Sequence, residues 1–367
     1  MNEKEYLYWL FSVEGAGAVT IRKMREYAGG LEQAYYIEEK EWEHSGILKG
    51  KLLKKIMEAK TLFQQKSEEY HSLKERGIQF ISSWEEEYPK KLRELYDYPA
   101  GIFVKGCLPS EGAPSLAVIG ARHCSSYGRR VAGEFSRVLA EAGIQIVSGM
   151  AYGIDGEGHR GALKAGKGTF AVLGCGVDVC YPREHYSLYT EIPEKGGLIS
   201  EYLPSASPAA FHFPMRNRII SGLSDGVFIV EAAEKSGSLI TAELALEQGR
   251  EVFAVPGRIS DALSQGTNRL IQSGAQVVNT PEDILDYFHL KCGKMLRLDE
   301  KNGKGLAKTE KMVYSCLDLQ PKSLETVVAE SGIPVGECMM ALYELEKQGF
   351  ITRAFGQYYE KKLQVRG

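Results

Sequence analysis

"LAVIGARHCSSYGRRVAGEFSRVLAEAGIQIVSG", residues 116–149, runs from a short apolar strand through a helical stretch into a second apolar strand. The alternation continues down the chain. "TFAVLG", "LISEY", "GVFIVEA", "EVFAVPG" and "AQVV" read as further strands, with helical stretches such as "LITAELALEQG" between them. Short apolar strands separated by helices predict an α/β fold built on a doubly wound parallel sheet. A clear helix start closes the series: Thr280 as N-cap, Pro281 at the first position and Asp283 two residues further on.

The flanks differ. Residues 1–75 read as short helices, with "KEYLYWLFSV" and "AVTIRKMREYA" on either side of a tight "EGAG" turn. That pattern fits a SAM- or helix–hairpin–helix-like unit, which grips a DNA backbone, or an ordinary helical bundle. "GKLLKKIMEAKTLFQQKSEEYHSLKERG" is predicted to be one long amphipathic helix ending at Gly77. Residues 76–108 form a bridge, with strand-like "IQFIS" and "GIFVKG", into the sheet domain of residues 109–290. "KCGKMLRLDEKNGKGLAK", residues 291–308, is polar and rich in Gly and Lys, a linker. Residues 309–367 then order as three helices and a hairpin around Gly356, a winged-helix-like domain. Such domains bind DNA or protein, so the fold alone does not choose.

Composition narrows the class. A chain 44% hydrophobic and 25% charged is that of a globular protein. No apolar run approaches the roughly 18 residues of a membrane span. The charged start "MNEKEYLYWLF" lacks a signal-peptide layout, so a cytoplasmic location with no membrane partner is expected. The seven cysteines include no CxxC pair. Cys175 and Cys180 come closest, but "VLGCGVDVC" reads as strand plus loop rather than a zinc site. A net charge of −3 argues against a surface coated for nucleic acid, yet basic character is concentrated locally. Gly120–Arg130 holds three arginines and no acid, and Leu203–Ser224 holds two and again no acid.

Ligands of a doubly wound sheet bind at the carboxyl ends of its strands. Those ends are glycine-rich here: Gly120 after the first strand, Ser148 and Gly149 after the second, Gly174 after the third. Glycines admit close approach, and helix N-termini offer free N–H groups, which together favour an anion. "GARHCSSYG" breaks the GxGxxG dinucleotide fingerprint, so a phosphate site is predicted without an NAD site. Arg122, Arg183, Arg216 and Arg218 stand at strand ends or near a helix start, and their forks suit phosphate oxygens. Asn217, between the last two, is a candidate for a base or sugar contact.

"MAYGIDGEGHRGAL", residues 150–163, sets Asp155, Glu157 and His159 at alternate positions. Asp155 and His159 share a helix face. No nucleophile or third ligand stands in register with them. The expected role is structural: Asp155 caps the helix start and His159 packs or hydrogen-bonds beneath it.

"VIGARHCSSYG", "VSGMAYGIDGEGHRGAL", "VLGCGVDVCYPREH", "FPMRNRIISGLSD", "EAAEKSGSLITAELALEQGREVFAVPG" and "GTNRLIQSGA" resemble the DNA-processing protein A (DprA/Smf) family in order and spacing, over about residues 114–279. One departure is Gly158, where family members often carry Ala. The resemblance implies a Rossmann-like domain that binds single-stranded DNA, protects it, and loads the recombinase RecA onto it in natural transformation and recombination. It implies DNA phosphates beside Arg122, Arg183 and Arg216–Arg218, a homodimer, no cofactor, no metal and no catalysis. The rival reading is a phosphoribohydrolase of the lysine-decarboxylase-like group, with "KSGSLITAE" as its loop and Glu243 as its acid. The Pro-Gly-Gly of that group is missing.

Overall fold

The computed structural model describes residues 2–290, 297–300, 306–318 and 321–366. Its centre is a nine-stranded sheet. The strands are β1 (Gln79–Ser82), β2 (Gly101–Gly106), β3 (Ser115–Ile119), β4 (Gln145–Ser148), β5 (Thr169–Val172), β6 (Gly197–Ser200), β7 (Gly226–Ile229), β8 (Glu251–Ala254) and β9 (Gln276–Val277). They lie in the order β1-β2-β6-β5-β4-β3-β7-β8-β9. Every pairing from β6 across to β9 is parallel. The pairings β1–β2 and β2–β6 are antiparallel. The doubly wound parallel sheet therefore carries an antiparallel edge that the sequence reading had assigned to a bridge.

Six helices form the N-terminal bundle: α1 (Glu3–Phe11), α2 (Ala18–Ala28), α3 (Leu31–Tyr36), α4 (Glu39–Ser45), α5 (Gly50–Ala59) and α6 (Phe63–Ser72). The long helix expected up to Gly77 is broken at a 3-10 turn, Lys60–Leu62. Trp9 Nε1 donates to the Ala59 carbonyl at 2.8 Å, and the Phe63 N–H bonds Lys60 instead. The bundle shares its core with the sheet edge. Phe80 of β1 stacks on Phe103 of β2 at 4.6 Å, and Tyr8 and Phe11 meet both rings edge-on. This apolar seam is why residues 76–108 are integral to the sheet rather than a connector.

A short helix α7 (Lys90–Arg93) precedes the crossover helices α8 (Ser126–Glu141), α9 (Ile154–Lys164), α10 (Tyr186–Lys195), α11 (His212–Gly222), α12 (Gly237–Glu247), α13 (Gln265–Gln272) and α14 (Pro281–Tyr287). Alternation along β3 feeds both layers. Leu116 and Val118 pack with Phe135 and Leu139 of α8, and Ala117 and Ile119 pack with Ile219 and Ile220 of α11 and Ala242 of α12. The start of α14 follows its sequence signals, with Asp283 accepting the Thr280 N–H at 2.9 Å.

The winged-helix region contains α15 (Lys308–Cys316), α16 (Leu324–Ser331) and α17 (Val335–Lys347), closed by the β-hairpin of Ile351–Phe355 and Tyr358–Lys361. Much of the expected linker 291–308 lies outside the described residues. Within it, however, Arg297–Glu300 is a strand paired with Leu363–Arg366. No helix among the described residues is long and apolar enough to cross a membrane.

Candidate functional site

Strand order reverses between β3 and β7, and a cleft of about 750 Å³ opens there at the carboxyl ends of the strands. Gly120 and Arg122 line it from the β3 loop, Arg216 and Asn217 from α11, and Ser236–Ser238 and Thr241 from the start of α12. The partial positive charge of the α12 N-terminus faces the same space as the Arg122 guanidinium.

The floor is a charged clamp on one peptide. Arg216, 4% exposed, donates from Nη1 to the Gly149 carbonyl at 2.8 Å and also to the Val172 carbonyl. Asp155 accepts the Gly149 N–H at 3.1 Å and the Ala151 N–H at 3.4 Å. Burial pushes the Asp155 carboxyl up, against the opposing pull of Arg216. Burial brings Arg216 down to about 10, with Asp155 resisting, so it stays cationic at neutral pH. A Cβ on Gly149 would lie 2.7 Å from both side chains, so only glycine fits between them. Asp155 thus fastens the loop before α9 instead of capping the N–H groups of α9 itself. The cap position is Gly153, at φ +71°, where a Cβ would fall 2.3 Å from the Ala121 carbonyl.

The other residues singled out in the sequence separate into three groups. Arg122 is exposed and lies over the Phe213 ring at 5.6 Å, and Asn217 is half-buried on the wall, where its Oδ1 accepts from Arg216 Nε at 3.3 Å. Arg183 is exposed in the turn Arg183–His185, outside the cleft lining. Ser148, Gly120 and Gly174 are scaffold: the Ser148 hydroxyl donates to the Val118 carbonyl at 2.6 Å, Gly120 abuts Ile154, and Gly174 lets Phe213 pack against the strand end. Arg218 corrects the expectation of a free fork. One helical step past Asn217, it turns away from the cleft and buries its guanidinium in an ion cluster, 2.6 Å from the largely buried Glu201 and 3.0 Å from the half-exposed Asp97.

His159 is fully buried under the sheet, a helical turn beyond Asp155 and not bonded to it. Its Nδ1 meets the Thr169 hydroxyl at 2.8 Å, and that hydroxyl donates to the Ile146 carbonyl at 2.8 Å. The ring therefore carries its proton on Nδ1. Burial pulls its pKa down to about 3, keeping it neutral. Among the described residues, no group of three or more His, Cys, Asp or Glu is placed to hold a metal ion. Glu243 is exposed and lies beyond the turn of α12 that lines the cleft, so the rival acid does not face the site.

Two features escaped the sequence reading. Tyr181 and Phe213 stack at 5.5 Å and 26° on the cleft wall, and Phe211 stands 70% exposed nearby in sequence. Their signal was present in "CYP" and "FHFP", where aromatics at strand ends and a helix start have no periodic core role. The second feature is the role of Glu231, two residues past β7, which the sequence offers only as a buried partner for an arginine. Its carboxylate accepts the Ser125 N–H at 2.9 Å and the Ser125 hydroxyl, directly at the start of α8. The place where a dinucleotide pyrophosphate would sit is filled by the chain's own anion.

The comparisons agree with this geometry. The model of the DNA recombination-mediator protein A family matches residues 79–289, and that of the DprA winged helix domain matches residues 300–357. Protein Smf of Escherichia coli is 40% identical over 294 residues, covering 78% of each chain. The DNA processing protein DprA of Bacillus subtilis is 45% identical over 58% of this chain and 72% of its own. The X-ray structure of DNA processing protein A from Streptococcus pneumoniae superposes with a TM-score of 0.67 at 37% identity, covering 77% of this chain and 97% of that one. The Helicobacter pylori protein, whose structure describes a single-stranded DNA binding mode, superposes with a TM-score of 0.52 at 30% identity, over 58% of this chain and 95% of that one. The antiparallel edge at β1 and the first strand of the C-terminal hairpin fall inside these matches, and the chain belongs to the DNA recombination-mediator protein A (DprA/Smf) family.

Proposed function

We propose that the cleft between β3 and β7 binds the backbone of single-stranded DNA, and that this homodimeric, non-catalytic, cytoplasmic protein protects the strand and passes it to RecA in transformation and recombination. The observation that carries the DNA reading is the pairing of an exposed cation with stacking rings: Arg122 lies over Phe213, which stacks on Tyr181. Arginine supplies a charge-assisted contact to phosphate, and aromatic faces accept unpaired bases of any sequence. A duplex hides its base faces and gains nothing from the rings. Arg122, Asn217 and the first turn of α12 form the contact set. Arg183 extends it at the rim, and Gly120, Ser148, Gly149, Gly174, Asp155, His159 and Arg216 support it from behind. The single-stranded DNA binding mode described for the Helicobacter pylori relative supports the same reading. The hand-over to RecA and the homodimer rest on family likeness.

The test is a fluorescence titration of the full chain with labelled oligo-dT, using duplex and AMP as competitors. Competition by unlabelled oligo-dT but not by duplex or AMP is expected. AMP cleavage dependent on Glu243 would overturn the reading. RecA filament formation on the oligonucleotide, with and without the protein, tests the hand-over, and sedimentation tests the dimer.

A further inference from the structure

The third helix of a winged helix is the one usually laid in a DNA groove. In this chain α17 is poorly suited to that. Its inner face buries Cys338, Ala341, Leu342 and Leu345. Its outer face shows Val335 (53% exposed), Met339 (47%), Met340 (64%) and Tyr343 (60%). Val335, Met339 and Tyr343 repeat every four residues, so they line one ridge, with Met340 beside it. By helix geometry the apolar arc spans about 140°. Glu337 and Glu344 border it on one side, and Glu346 and Lys347 close the same face at its C-terminal end. None of the three glutamates has an ion-pair partner among the described residues. Lys347 is the helix's single cation.

A surface that neutralises phosphates needs lysine and arginine. One cation among three glutamates would repel a duplex. Methionine-rich, aromatic-centred ridges instead suit helix-on-helix docking, because flexible thioethers repack around a partner's apolar side chains. We propose that the outer face of α17 is a protein-docking surface for a basic amphipathic helix of a partner protein. Its apolar stripe would seat on Val335, Met339, Met340 and Tyr343, and lysines or arginines along one flank would face Glu337 and Glu344. The acids set the sign of the partner's charge, and the ridge sets its amphipathic period.

The test uses the full chain and a labelled synthetic leucine–lysine helix with its apolar residues on one face. A scrambled peptide of the same composition and a duplex oligonucleotide serve as controls. Met340→Asp is decisive because it adds negative charge. Docking through the ridge predicts a loss of about tenfold or more in peptide affinity. General attraction to acidic surface predicts equal or tighter binding, which would overturn the proposal. Glu337→Lys with Glu344→Lys should also weaken the peptide. Equal binding of the scrambled peptide, or duplex affinity that falls in Tyr343→Ala, would likewise overturn it. Unchanged circular dichroism and oligo-dT affinity in Met340→Asp establish that the fold and the cleft are intact.

Discussion

Arg216 and Asp155 hold opposite ends of one residue: the guanidinium donates to the Gly149 carbonyl at 2.8 Å, and the carboxylate accepts the Gly149 N–H at 3.1 Å. The strand end beneath the cleft is thus fixed by two buried, opposite charges with a single glycine between them. Replacing Arg216 by Met leaves Asp155 buried without its counter-charge. The expected loss is about 3–5 kcal/mol of stability, together with oligo-dT binding. Urea unfolding measures the first, and a loss below about 1 kcal/mol would show that the clamp is dispensable.

Arg122 and Arg218 make opposite predictions. Arg122→Ala should weaken oligo-dT binding by about 10- to 100-fold, the equivalent of one charge-assisted hydrogen bond, and flatten the log–log salt slope by about 0.7. Its melting temperature should hold, because the side chain is exposed. Arg218→Ala strands Glu201 and Asp97, so it should lower the melting temperature and leave the salt slope unchanged. A flattened slope in Arg218→Ala would return that residue to the contact set.

Tyr181→Ala removes one ring of the stack beside Arg122. Base–aromatic stacking contributes about 1–3 kcal/mol per base, so affinity should fall by roughly 5- to 150-fold, with little change in salt slope. Tyr181→Phe should keep near wild-type affinity. A large loss in the Phe variant would point to the hydroxyl rather than the ring.

His159 supplies a pH dependence. Its folded pKa, about 3, lies below the unfolded value near 6.5, so in that window the unfolded chain binds the extra proton. The contribution is fully present above about pH 6.5 and is lost as pH falls toward 3. Between pH 6.5 and 5 one such group costs about 2 kcal/mol. Denaturant unfolding at the two pH values should show this difference in the wild type. His159→Gln should reduce it by that amount, and an unchanged slope would mean that His159 titrates normally in the fold.

The sheet was legible because its strands are short apolar runs ending in glycine, as in Leu116–Gly120. The position of the cleft followed from the strand ends, since reversal of strand order creates the crevice whatever the side chains. Side-chain direction was not legible. Arg216 and Arg218 are two residues apart on one helix and look alike in sequence. Helical geometry points them about 200° apart, one under the cleft and one into a cluster built by the nearby Glu201 and by Asp97, far away in the chain. The break at Lys60 was hidden for a similar reason, because it depends on Trp9, some fifty residues upstream. Tyr181 and Phe213 were passed over because charge, rather than ring stacking, was the property sought.

Glu231 has a consequence for what kind of molecule the cleft can accept. A helix start that welcomes a terminal phosphate makes a dead-end berth, suited to a small molecule that enters and stops. With the α8 berth occupied by the chain's own carboxylate, what is left to a guest is Arg122, the rings of Tyr181 and Phe213 and the start of α12, spread along the cleft. A guest gripped there from the side would leave both of its ends free. That is the condition for holding a polymer at an interior point, and it selects for length where a plugged pocket would select for identity.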